Sequence, residues 1–185
     1  MARLIYGINA SLDGYINDER GEFDFTEPSE ELHDYWTELV RGVGTWVYGR
    51  RMYETMAVWE TMRDDPDLPE FAANFARAWC DSDKIVISTT LETAPTERTW
   101  IERSFDAERI RELKLTADRD LAIVGPTVAA HAFRAGLVDE VLLAVLPAIV
   151  GGGTRALPDG VRLDLELIEE RAFPGGAVAL RYSVR

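Results

Sequence analysis

Apolar runs of strand length alternate along this chain with segments of helical period. "RLIYGINAS" predicts a buried strand from Arg3 to about Ala10, closed by a turn at Asp13-Gly14. "INDERGEFDFTEPSE" is polar, carries Gly21 and Pro28, and reads as a long loop. Leu32, Tyr35, Trp36, Leu39 and Val40 then fall on one helical face, which predicts a helix from about Pro28 to Arg41. "GTWVYG" is a short strand ending in a turn, and "RMYETMAVW" is helical in period from about Arg50. The loop "DDPDLPE" leads to a helix over Phe71 to Trp79, followed by the β-branched strand "KIVIST" and the helix "DAERIRELKL". "DLAIVGP" is another apolar strand, and "TVAAHAFRAG" is a helix that closes with Gly136. "DEVLLAVLPAIVGGG" predicts a strand with a bend at Pro147 and a glycine loop at its end. Leu163, Leu165 and Leu167 alternate with acids, as in a strand covered on one side. "AVALRYSVR" is a last strand, hairpin-paired with it through "PGG".

Strand and helix thus alternate several times before an antiparallel pair. That order predicts one α/β domain over residues 1–185, with a mixed, mostly parallel sheet and helices on both faces. Composition narrows the partners. The net charge of −13 disfavours nucleic acid, and the basic residues are scattered, with Arg50-Arg51 the only Arg-Arg pair. One cysteine, Cys80, forms no intrachain disulfide and suits a reducing cytoplasm. With only His33 and His131 beside it, a closed zinc site is not expected. No apolar run reaches membrane-spanning length, and the first residues lack the apolar core of a signal peptide.

In such sheets ligands bind outside the carboxyl ends of the strands, and three strand-to-helix corners carry suitable chemistry. In "VYGRRMYE", Gly49 permits a tight turn, and Arg50 and Arg51 place forked cations at a helix start. The helix dipole disfavours cations there, so the pair points to an anionic ligand, unless each arginine is taken up by the acidic surface. "VISTT" offers the hydroxyls of Ser88, Thr89 and Thr90, which suit a sugar or phosphate, or else cap a turn. "IVGPTVAAH" combines Gly125 with Pro126 at a first helical turn, where free N–H groups of Thr127 and Val128 face a pyrophosphate or simply begin a helix.

Together "SLDGYI", "YGRRMYE", "VISTT", "IVGPTVAAHAFRAGLVDEV" and "PAIVGGGT" resemble the dihydrofolate reductase superfamily. The nearest branch holds the reductase half of the bifunctional riboflavin-biosynthesis deaminase–reductase and its stand-alone bacterial relatives. The resemblance spans nearly the whole chain. It implies a dihydrofolate reductase-like fold, a cytoplasmic NADPH-dependent reductase, a small heterocyclic or carbonyl substrate, and a homodimer. Carried onto this sequence, Ala10 and the loop to Gly14 would lie beside the nicotinamide. Gly49, Arg50, Arg51 and Met52 would hold phosphates, and Ser88, Thr89 and Thr90 would meet the adenosine side with its 2′-phosphate. Val124, Gly125, Pro126, Thr127 and Val128 would cradle the pyrophosphate. Gly151 and Gly152 would lie near the substrate, and apart from the resemblance the aromatics Phe23, Phe25, Tyr35, Trp36, Tyr53 and Trp59 either stack on a flat heterocycle or belong to the core.

The chain departs from both specialised branches. Val124 stands where the riboflavin enzyme has the first of two glycines, and "GRRMYE" is closer to the folate reductases. Ala144 matches the place where folate reductases carry a threonine that supports the substrate-binding acid. The zinc-binding cysteines of the deaminase half have no counterpart. For the proton that accompanies hydride transfer the candidates are His33, Glu31 and Asp13. His33 adjoins the apolar face of its helix, and Asp13 either caps the "SLDG" turn or relays protons beside the nicotinamide. A folate reductase activity, and a nucleotide-binding sensor without efficient catalysis, are the competing readings.

Overall fold

A computed structural model describes all of residues 1–185. One eight-stranded sheet runs through the chain in the order β4-β3-β2-β5-β1-β6-β8-β7. The strands are β1 (Leu4–Ser11), β2 (Val43–Gly49), β3 (Asp83–Ile87), β4 (Thr99–Glu102), β5 (Asp120–Val124), β6 (Glu140–Leu146), β7 (Leu165–Ala172) and β8 (Val178–Val184). β4 through β6 are mutually parallel in that order, while β8 and β7 add an antiparallel pair. The helices are α1 (Glu30–Gly42), α2 (Arg50–Met56), α3 (Val58–Met62), α4 (Glu70–Cys80), α5 (Ala107–Thr116) and α6 (Pro126–Arg134). None is long and apolar enough to cross a membrane.

The two faces are covered by different helices. α1 starts at Ser29, whose hydroxyl accepts from the Leu32 N–H. It lays Leu32 on Leu142, Ala144 and Leu146 of β6. α4 sits beside it, with the Trp79 indole N–H donating to the buried Tyr48 hydroxyl on the same side of the sheet. On the other face Phe133 of α6 meets Tyr6 edge-on, 5.3 Å between centroids. The amino ends of the strands are tied by ions. Buried Glu140 accepts from Arg3 and Arg181, and Asp139 pairs with Lys114 at 2.6 Å.

Three expectations need correction. The stretch "RMYETMAVW" is two helices, α2 and α3, interrupted at Ala57. β4 was not foreseen; it is four residues at the sheet edge with Trp100 exposed, too short for a period to show. β7 is not covered on one side. It is the opposite edge strand, Leu165, Leu167 and Ile168 are 41 %, 49 % and 50 % exposed, and a bulge between Leu167 and Glu169 breaks the alternation.

Two packing features bear on the site. First, the loop after β1 is zipped to the glycine loop after β6. The Leu12 N–H donates to the Ala148 carbonyl, Ile16 to Thr154 and Ala156 to Gly14, and Tyr15 bridges Arg155. Gly153 has φ +127, and a β-carbon there would stand 2.0 Å from the Asn17 carbonyl oxygen, so only glycine allows this contact. Second, His33 on α1 is buried against Trp59 of α3 and Phe71 and Phe75 of α4, with centroids 5.6, 5.1 and 5.1 Å away. Its Nδ1 has no partner, and burial holds the imidazole pKa below its ordinary 6.5.

These features give two expected outcomes. Gly153→Ala should lower the stability to chemical denaturation by roughly 1–3 kcal/mol, the scale of such backbone strain, whereas Gly160→Ala, at a positive φ but in open space, should cost less. For His33, protons bind the unfolded chain more readily than the folded one as pH falls through 6.5. Stability is therefore full above that value and declines below it. His33→Phe should flatten the fall in melting temperature between pH 7 and pH 5; an unchanged slope would exclude the cage as its source.

Candidate functional site

The register of the parallel strands sets the corners side by side. Glu102 of β4 pairs with Ile87 of β3, Ile87 with Gly49 of β2, and Tyr48 of β2 with Val124 of β5. The residues that follow each strand end are therefore neighbours: Arg103, then Ser88–Thr90, then Arg50–Met52, then Gly125–Val128. β1 comes next in the sheet, carrying Ala10 and the loop to Gly14, and beyond it β6 leads to Gly151 and Gly152. Strand ends from β4 to β5 span about 14 Å at about 4.8 Å per step.

The first and third corners pack on one another. Gly125 has φ +102, and a β-carbon there would meet the Met52 β-carbon at 3.3 Å. A β-carbon at Gly49 would lie 3.7 Å from Val128. The glycines thus bring the first turns of α2 and α6 together, with Pro126 at the start of α6 and the Thr127 side chain exposed. Arg50 reaches Glu54 only at 3.9 Å with both side chains about half exposed, and Arg51 has no carboxylate within salt-bridge distance. A pair so exposed contributes little to stability, which leaves both guanidiniums available for an anion.

At the second corner the roles divide. Ser88 is buried, and its Oγ accepts from the Thr90 and Leu91 N–H groups at 3.2 and 2.9 Å, so it caps the turn. Thr89 and Thr90 are exposed, with hydroxyls that have no partner in the chain. Arg103, which the sequence reading did not single out, braces this turn by donating from Nη1 to the Ser88 and Leu91 carbonyls.

Ala10 is buried on the α6 side of β1, opposite α1. The Asp13 carboxylate accepts from the Ser11 hydroxyl at 2.7 Å and from the Val150 and Gly151 N–H groups at 3.2 and 2.8 Å. These donors, Ser11 foremost, hold its pKa below the usual carboxylate range, so it stays ionised at neutral pH. Asp13 is thus an acceptor that pins the glycine loop, a geometry opposed to proton donation. Gly152 is buried where a β-carbon would strike the Glu19 carboxylate at 2.8 Å, and Gly151 supplies an N–H to Asp13. Both glycines are accounted for by loop packing.

His33 faces α3 and α4 from inside its aromatic cage. It is unprotonated at neutral pH, which removes the physical basis for its reading as an acid. Glu31, in the first turn of α1, is exposed and unpaired. Trp36 lies over Gly7 of β1 and donates its indole N–H to the Asn9 side chain at 2.9 Å; the Asn9 amide in turn donates to the Thr26 carbonyl. Phe25 belongs to the same short turn (Asp24–Thr26) and packs beside Leu32. Asn9 thus ties strand, helix and turn together. Its signal in the sequence is a lone amide inside the apolar run "YGINAS".

Two cavities adjoin this edge. One of about 480 Å³ is lined by Tyr15, Thr127, Arg134 and Arg155 among others. The second, about 240 Å³, is lined by Ala10, Gly14, Leu143 and Val145. They share Arg155 and Leu157 as lining, one beside the first turn of α6 and the other beside the end of β1.

Comparison with known proteins agrees with this architecture. The RibD C-terminal domain family matches residues 2–179. The chain is 25 % identical over 182 residues to the uncharacterized protein YyaP of Bacillus subtilis, covering 97 % of this chain and 94 % of YyaP. A protein from Shewanella sp. PV-4 named for riboflavin biosynthesis superposes with a TM-score of 0.76 at 22 % identity, covering 100 % of this chain and 99 % of that one. The diaminohydroxyphosphoribosylaminopyrimidine deaminase/5-amino-6-(5-phosphoribosylamino)uracil reductase of Thermotoga maritima gives 0.69 at 15 % identity, and this chain spans 57 % of its length. With a family match over residues 2–179 and a sheet of the same architecture, the chain belongs to the RibD C-terminal domain family.

Proposed function

We propose that the protein is an NADPH-dependent oxidoreductase that transfers hydride to a small heterocyclic or carbonyl substrate, in the manner of the uracil reductases of riboflavin synthesis. The observation that carries this reading is the linear order of the sheet edge. Hydroxyls, an arginine pair, a glycine-led helix start and the end of β1 follow one another on β3, β2, β5 and β1. The adenosine end, phosphates, pyrophosphate and nicotinamide of an extended dinucleotide follow one another in the same way. The close approach at Gly125 and Gly49 leaves backbone rather than side chain facing the edge, as a phosphate cradle needs.

When bound, NADPH supplies the hydride. The chain's own residues hold and orient. Arg50 and Arg51 neutralise phosphate charge, the N–H groups of Thr127 and Val128 meet the pyrophosphate, and Ala10 to Gly14 border the nicotinamide. Asp13 keeps the glycine loop closed on this end through Val150 and Gly151. Trp36, fixed by Asn9, presents a flat apolar wall on the α1 side for a heterocycle. Among the three acids considered for proton supply, only Glu31 has a free carboxyl. Folate reduction fits less well. Ala144 is wholly buried in an apolar cluster with Leu32 and Phe173, where no hydroxyl supports a substrate-binding acid. The same missing polar support favours a nucleotide-binding accessory protein as the second reading.

The reading includes a homodimer. The face of β6, β8 and β7 opposite α1 carries Leu143, Leu180, Tyr182, Leu165 and Leu167, and at its β7 margin no helix covers it. An exposed apolar sheet face of this kind marks an interaction surface.

Two outcomes are expected. Arg50→Ala/Arg51→Ala should raise the Kd for NADPH about tenfold or more and flatten its salt dependence, measured by fluorescence titration. An unchanged Kd excludes the phosphate assignment, and binding without oxidation across pteridines, aminopyrimidines and carbonyls favours the accessory protein. By light scattering the wild type should be a dimer and Leu165→Glu/Leu167→Glu a monomer; a monomeric wild type excludes the interface.

A further inference from the structure

The cavity of about 480 Å³ lies between α6 and residues 153–159, which follow β6. Its helix wall is Thr127, Ala130 and Arg134, spaced three and four residues apart and so on one face of α6. Val128 takes another face, against Gly49 of β2. The cavity thus flanks α6 on a side other than the one packed on the Arg50–Arg51 corner. Two guanidiniums line it. Arg134 is exposed and makes no hydrogen bond or ion pair within the chain. Arg155 lies over the Tyr15 ring, 5.5 Å from its centroid, and reaches Asp159 only at 3.9 Å, with that carboxylate 91 % exposed. So open an ion pair neutralises little. Like charges around one cavity repel, yet the chain, with 33 acidic residues against 20 basic ones, seats no close carboxylate between them.

The walls are held by the chain itself. Tyr15 bridges Arg155 through the backbone, and the Ala156 N–H donates to the Gly14 carbonyl at 2.9 Å. The buried Tyr6 hydroxyl donates to the Ala156 carbonyl. The backbone under Arg155 is fixed, so a ligand has only the two arginine side chains to order. We propose that this cavity binds a small organic dianion, a phosphate monoester or a dicarboxylate, between Arg134 and Arg155. A single carboxylate would leave one cation unneutralised, whereas two forks match the oxygens of a dianion. The volume is that of a small-molecule site. The Tyr15 and Thr127 hydroxyls and the Asp159 carboxylate suit polar groups on the ligand's uncharged part. A ligand joining Arg134 to Arg155 ties α6 to a segment hydrogen-bonded to the loop after β1, and so steadies that loop. The site does not depend on the cofactor reading.

The test is calorimetry on the full chain without dinucleotide, with glycerol 3-phosphate and succinate as dianions and acetate as the monoanion. The wild type should bind at least one dianion tenfold or more tighter than acetate, and the tighter of the two identifies the source. Arg134→Ala/Arg155→Ala should raise that Kd tenfold or more, and Arg134→Lys/Arg155→Lys should recover part of the loss. Arg162→Ala, which removes an exposed arginine outside the cavity, should leave it within about twofold; melting curves check that each variant folds. Bound dianion should also slow hydrogen exchange at the Ile16 and Ala156 amides, and unchanged exchange removes the bridge between α6 and the segment. The inference fails if neither dianion outbinds acetate, or if the double alanine variant binds like wild type. It fails equally if NADPH displaces the dianion competitively, since the cavity is then part of the dinucleotide site. A chain that binds the dianion and no NADPH overturns the cofactor reading alone.

Discussion

The parallel register of β4, β3, β2, β5 and β1 is the constraint from which the site follows. Parallel strands end on one edge, and each crossover helix must start there. Pairing of Glu102 with Ile87, Ile87 with Gly49, and Tyr48 with Val124 brings residues far apart in sequence within one strand spacing of each other. The opposite edge is held by charge. Glu140 between Arg3 and Arg181, and Asp139 with Lys114, fix the amino ends of β1 and β6 and the carboxyl end of β8. One end of the sheet is thus locked by ion pairs within the chain, while the other keeps Arg50, Arg51 and Arg103 largely unneutralised. In a chain of net charge −13 this division separates cations tied in ion pairs from cations left exposed.

The aromatic cage around His33 and the apolar cluster under Leu32 show how α1 is committed. One flank is filled by Trp59, Phe71 and Phe75, another by Leu142, Ala144 and Phe173, and Trp36 is left toward β1. The buried residues of the helix are Leu32, His33, Thr37 and Val40, so its inner face carries no acid.

Much of this was legible from the sequence. β1, β5 and β6 are apolar runs bounded by turn residues, and α1 and α6 have periods and caps that place them within about two residues, the usual tolerance of helix ends. The glycine and arginine corners were visible because they rest on local features, a turn and a helix start. Other elements depend on tertiary partners. β4 is defined by its neighbour β3, not by its own four residues. Arg103 gains its role from carbonyls 15 and 12 residues upstream, to which no motif points. His33 looked available because α3 and α4, which enclose it, come from a segment whose packing direction the sequence did not give. Asp13 looked like an acid, but the Ser11 hydroxyl, with the Val150 and Gly151 N–H groups, holds it ionised.

The zipper between the loop after β1 and the glycine loop after β6 also limits how this end of the molecule can move. The carbonyls of Ala148, Thr154 and Gly14 and the carboxylate of Asp13 tie the two segments at successive points. Neither loop can swing alone without losing several of these bonds together. Any gating motion here is therefore a rigid flap of both segments, pivoting where β1 and β6 end. A substitution at Leu146 or Pro147, where β6 gives way to the glycine loop, would therefore disturb both segments at once.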